Sequence, residues 1–154
     1  MTTLQDPSIA STSLLEHQIL NHVKQALRVT LDWDAPIVSL PRKLSSLRFT
    51  IKSFGRHLER VMSIEEEGDY LEEVADAKPS LRSRIDSLDR DHARFRARIG
   101  EIGPQLEALS EWQNEQFCSI CQEIRHLLDD VDRHDAMEID LLQESMLMDE
   151  GGEG

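Results

Sequence analysis

Six histidines, His17, His22, His57, His92, His126 and His134, are the side chains of this sequence best suited to chemistry. Imidazole ligates iron, zinc and copper. Four of the six continue an apolar stripe. His17 lies three before Leu20, His57 three after Phe54, His92 between Leu88 and Phe95, and His134 three after Val131. Residues three or four apart share a helix face, so these four rings are expected to point inward. His22 and His126 fall off their stripes and are expected to meet solvent. A single inward histidine is ordinarily a hydrogen-bonded core residue. Four buried together leave many ring nitrogens in need of partners, which is costly without an organising ion. Glu138, four after His134, adds a carboxylate oxygen on the same side of its helix.

The elements that must carry these residues read as four amphipathic helices. Ser13-Leu-Leu-Glu16 has the form of a capping box, followed by Leu20, Val23, Leu27 and Leu31 at helical spacing. Asp34 through Pro41 holds two prolines and is a break. The second stretch carries Leu44, Leu47, Ile51, Phe54, Leu58, Val61 and Ile64, weakened at Gly55 and Gly68, and fades after Leu71. Lys78-Pro79 marks the next start. The third stretch carries Leu81, Ile85, Leu88, Phe95, Ile99 and Ile102, and Gly103-Pro104 interrupts it; the segment to about Ser110 reads equally as loop or short helix. The fourth carries Phe117, Ile120, Ile124, Leu127, Val131, Leu141 and Leu142. Nothing reads as a strand. The expected fold is all-α, an antiparallel up-down four-helix bundle, with a simple array of helical hairpins as the alternative. Residues 1–12 read as a flexible lead-in, 13–148 as the bundle and 149–154 as an acidic, glycine-rich tail.

In such a bundle two residues lie level when they are equally far from the turn between them. The midpoint of His17 and His57 is position 37, inside the first break. That of His57 and His92 falls between 74 and 75, and that of His92 and His134 at 113. All three lie at or near expected turns, so the four rings are expected to converge in one layer.

Composition limits the partners. Hydrophobic residues make up 39% and charged residues 31%, the balance of a globular domain. The net charge of −13 repels phosphate backbones and anionic lipid, which argues against nucleic acid and membrane surfaces. The opening MTTLQDPSIASTS lacks the basic start and apolar core of a secretory signal, so the cytoplasm is the expected compartment.

The arrangement resembles the hemerythrin-like, or histidine–histidine–glutamate, domain family. The likeness is carried by His17 in SLLEHQIL, His57 in FGRHLERVMSIEEE, His92 in LDRDHARFRARI, and His134 with Glu138 in DRHDAMEIDLLQE. It spans about residues 13 to 146. The resemblance implies a non-haem di-iron centre within the bundle, which binds or senses dioxygen or nitric oxide, or handles iron. Carried over by position, the implied ligands are His17, His57, His92, His134 and Glu138. Two positions depart. Val61 stands where the second helix should carry a glutamate four after its histidine; Glu65, one turn on, is the substitute. Arg96 stands where the third helix often carries a second histidine, and a guanidinium is no ligand. One metal ion, or none, fits these residues better than two. The alternative function is a metal-free bundle acting as an interaction or regulatory module, with a protein partner that the sequence does not identify.

Other signals are weaker. Cys118 and Cys121 form a CxxC without a thioredoxin-like context and are expected to be buried, inert thiols. Glu123-Ile-Arg-His126 matches half of the paired ExxH of ferritin-like di-metal bundles, but Asp89-Arg-Asp-His92 has the wrong acid for a second half. Glu65-Glu66-Glu67 and Glu72-Glu73 lack a calcium-loop spacing. No nucleophile with a paired base stands out, so binding is expected ahead of turnover.

Overall fold

The structure, a computed structural model, describes residues 7–34, 38–68, 70–110 and 113–152, with side chains from 13 to 148. Residues 1–6 of the expected lead-in, Pro36 of the first break, and 153–154 of the tail lie outside the described residues. The described chain is helical and holds no strand: α1 (Pro7–Leu31), α2 (Leu40–Glu67), α3 (Tyr70–Ala77), a 3-10 turn (Pro79–Leu81), α4 (Arg82–Ala108) and α5 (Asn114–Gly152).

Three boundaries differ from expectation. Helix α1 opens at Pro7, ahead of Ser13; a proline fits a first turn because its missing N–H would be unpaired there anyway. Ser13 is therefore no cap, and its carbonyl accepts a hydrogen bond from His17 Nδ1 at 2.8 Å. Residues 70–77 form a separate short helix. Helix α4 runs through Gly103-Pro104 to Ala108. Proline removes one backbone donor there, close to the end of the helix. Arg48 of α2 secures that end, donating from Nε to the Leu106 carbonyl at 2.9 Å and from Nη2 to that of Leu109 at 2.7 Å.

The long helices bury their apolar stripes against one another. Arg84 pairs with Glu144, and Arg98 with Asp130, so positions on α5 fall as those on α4 rise. Between α2 and α4, Arg48 meets Leu106 while Arg96 meets Glu59. Gly55 lets α2 and α4 come close: a Cβ there would lie 2.9 Å from Ile99 Cγ2. The core falls into two clusters. The larger includes Leu20, Leu27, Leu47, Phe54, Val61, Phe95, Ile124, Leu127 and Val131. The smaller gathers Leu71, Val74, Ala75, Leu81, Ile85, Leu88 and Leu141. On α4 the first cluster reaches Phe95 and the second Leu88; on α5 they reach Val131 and Leu141. The buried residues between those limits are polar.

Candidate metal centre

Asp91 and His92 occupy that gap on α4, and His134 occupies it on α5; all three are buried. Glu65 enters from α2, one turn beyond the buried pair Val61–Met62, and His17 from α1, just before buried Leu20. The Glu65 carboxylate is the hub. Its Oε2 accepts from His92 Nε2 at 3.0 Å, and its Oε1 faces His17 Nε2 at 3.4 Å. The His92 and His134 rings lie 5.1 Å apart. His134 Nδ1 bonds Asp91 Oδ2 at 2.9 Å, which leaves its Nε2 toward Glu138 Oε2 at 3.7 Å. Arg94 holds the other oxygen of Asp91. A carboxylate behind an imidazole in this way fixes ring orientation and makes the far nitrogen a better donor to a metal.

The charges are strongly coupled. Burial opposes ionisation of Glu65, but the imidazoles of His17 and His92 beside it outweigh burial and hold its carboxyl at about 2. The Glu65 carboxylate in turn raises His17 to about 9. Burial lowers the proton affinity of His92, yet Glu65 and Glu66 reverse the sign and raise it. Glu138 moves the other way from Glu65. Burial, then the Glu65 charge, pushes it up to about 8, so at neutral pH one proton sits on this acid pair, on Glu138. Burial also raises Asp135.

The donor set fits a cation. One donor atom each from Glu65, His92 and His134 lies within 4.8 Å of the others, and the same holds for His134, Asp135 and Glu138. Two side-chain polar atoms among the described residues are buried without a hydrogen bond, Glu65 Oε1 and His92 Nδ1. Buried orphans of that kind are costly and are relieved by an ion or a ligand. Two histidines and one carboxylate with open positions are a donor set used by mononuclear non-haem iron.

Of the six expected residues, the structure brings together His17, Glu65, His92, His134 and Glu138. It leaves His57 out, which corrects the expected layer of four histidines. His57 Nδ1 pairs with Glu16 Oε2 at 3.4 Å, and eight residues separate it from Glu65, about 12 Å along the helix. Helical side chains lean toward their own N-terminus, so tips on oppositely directed helices meet about a turn away from where their backbones are level. Asp91 and Asp135 went unrecognised in the sequence. Asp91 had a signal, since it lies three after Leu88 and four before Phe95 and so shares the inward stripe of His92. Arg96 stays exposed, bonded to Glu59 and Glu66. His22 and His126 are exposed, as expected, so Glu123–His126 adds nothing to the core. Cys118 is exposed, contrary to expectation, whereas Cys121 is buried and burial raises its thiol.

The model of the hemerythrin HHE cation-binding domain matches residues 11–144, nearly the whole described chain. No curated protein and no solved structure matches. With Glu65 at the centre, the glutamate that should follow a histidine by four on the second helix has Val61 in the histidine's place. Val61 is buried in the apolar core.

Proposed function

The chain belongs to the family of hemerythrin HHE cation-binding domains, and from that premise we propose that it holds a single non-haem iron ion at Glu65, His92 and His134. Glu138, Asp135 and His17 stand beside those three as further donors. The observation that carries this reading is the convergence of two imidazole nitrogens and one carboxylate in a layer that interrupts an otherwise apolar core. The frame is an antiparallel up-down bundle of α1, α2, α4 and α5, supported by the opposed numbering of the ion pairs between neighbours. A second ion would have only Asp135, Glu138 and a share of His134, already a ligand of the first, because Val61 is apolar and Arg96 is turned to the surface.

Iron held by these residues would bind dioxygen or nitric oxide, and the protein would serve binding, sensing or iron handling in the cytoplasm. Its own residues do the rest. Asp91 orients His134, His17 balances the Glu65 charge, and Glu138 gives up its proton when a cation arrives. A metal-free interaction module is the second reading; the pairing of Glu65 with His17 and His92 favours it, because the layer is already partly neutralised without an ion. No helix among the described residues is long and apolar enough to cross a membrane.

The test is metal analysis after anaerobic loading with ferrous iron and desalting, followed by an absorption spectrum on admitting air. A single retained ion per chain is expected, and both His134→Ala and His92→Ala should lose it. Equal metal content in the two variants and the native protein removes this assignment. A folded, helical protein that retains no metal favours the interaction module.

A further inference from the structure

A cleft of about 760 Å3 opens between α1 and α5 beside the polar layer. That volume lies within the range of small-molecule sites, roughly 300–1,000 Å3, and far exceeds what a diatomic gas fills. Its lining changes character from one end to the other. At one end Lys24 is buried and bonds Asp132 at 2.8 Å and Asp135 at 3.3 Å, which closes the seam between the two helices. At the other, Leu14 and Ile139 are exposed large apolar residues that line the cleft together with Ile64 and Leu142. Between the ends lie His17, Glu65 and Glu138.

Charge and hydrogen bonding choose the ligand. Four carboxyl groups line the cleft, Glu65, Asp132, Asp135 and the protonated Glu138, so that three carboxylates stand against Lys24 and His17. Lys24 is already committed to two of the acids. The side chain of Glu65 is nine-tenths buried, and its Oε1 has His17 Nε2 as an ion-pair neighbour at 3.4 Å but no hydrogen bond. A buried carboxylate oxygen in that state needs a donor, and a charged N–H is the strongest available. We propose that this cleft binds an organic ammonium ion, with its N–H groups on Glu65 and Glu138 and its apolar body along Leu14, Ile64, Ile139 and Leu142. Amine binding does not require iron. A dication and an ammonium ion would compete for the Glu65 carboxylate, so each excludes the other.

The experiment is an amide NMR titration of the full, chelator-treated protein with n-hexylammonium, 1-hexanol and hexanoate. Hexylammonium should shift amides around His17, Glu65 and Glu138, and bind at least about tenfold more tightly than hexanoate, with hexanol weaker than the amine. Ile139→Lys, at an exposed position, places a cation at the mouth and should weaken the amine by about tenfold or more while the rest of the spectrum is unchanged. Ferrous ion should displace the amine. Hexanoate binding as tightly as hexylammonium overturns the proposal. So do shifts scattered over the acidic surface that Ile139→Lys does not reduce. Loss of iron binding with amine binding intact would remove the proposed iron site and leave this one standing.

Discussion

From Leu20 to Leu31 on α1, and from Phe117 to Val131 on α5, the inward positions are mostly aliphatic or aromatic, and the seam between these helices is closed by charge pairs. Lys24 reaches Asp132, and Arg28 reaches Asp129 at 3.0 Å and Asp132 at 2.8 Å. Beyond that seam the same two helices carry His17, His134, Asp135 and Glu138 and part around a cleft. One half of the molecule is packed for stability. The other places ionisable groups where aliphatic residues would cost less, which is how functional sites depart from the rules of a core. The expected consequence is that substitutions in the two halves differ in sign as well as in size.

The largest effect is expected in the closed half. Phe54 has no exposed surface, and Phe54→Ala should cost about 3–5 kcal/mol in urea denaturation, since truncation loses both transfer energy and packing. A loss under about 1 kcal/mol would mean that this half is not close-packed. The opposite sign is expected in the polar layer when it is replaced as a unit. Glu65→Met, Asp91→Leu, His92→Leu, His134→Leu and Glu138→Leu together should raise stability by about 1–4 kcal/mol, because the buried charges go together and the two groups that lose a partner, His17 and Arg94, reach solvent. The same variant should take up no metal. Destabilisation of this fivefold variant would show that the layer is kept for folding and would erase the contrast between the halves.

The charge arrangement predicts a slope with pH in the metal-free protein. His17 is raised from 6.5 to about 9, so its contribution is full below 6.5 and is lost as pH rises through about 9. Glu138 is raised from 4.5 to about 8; its contribution is full below 4.5 and is lost as pH rises through about 8. Glu65 is lowered from 4.5 to about 2, so its contribution is present above 4.5 and is lost as pH falls through about 2. The urea midpoint should therefore decline across the whole range from about pH 5 to about pH 9, and Glu138→Gln should flatten that decline. A midpoint that climbs over the same range would contradict the shared proton.

The stripes made much of this legible. Helical spacing placed His17, His92, His134 and Glu138 on inward faces, and the prolines and glycines marked most of the breaks. Spacing fixes which face a residue occupies and leaves its depth open, because every turn of a helix repeats the same face. Depth depends on the lean of side chains and on where neighbouring helices begin. Helix α3 separates the end of α2 at Glu67 from the start of α4 at Arg82. Glu65 near the end of one helix consequently meets His92 well inside the other. Asp135 carried a signal of the kind Asp91 had, since it lies four after Val131 and so borders the inward stripe of His134.

His57 gives the smallest expected effect and the sharpest test of that reading. By sequence it was a ligand; by position it belongs to the closed half, beside Leu58 in the apolar core and paired with Glu16. The pair is largely buried but long at 3.4 Å, and Arg60 remains 3.8 Å from the Glu16 carboxylate, so His57→Ala should cost no more than about 1 kcal/mol. Its metal content should equal that of the native protein, whereas His92→Ala should lose the ion. The two variants share the same chemistry of removal and differ only in where the ring stood. If His57→Ala emptied the site while remaining folded, the second helix would have to sit with His57, not Glu65, level with His92. The boundary between the two halves would then lie about two turns further into the core.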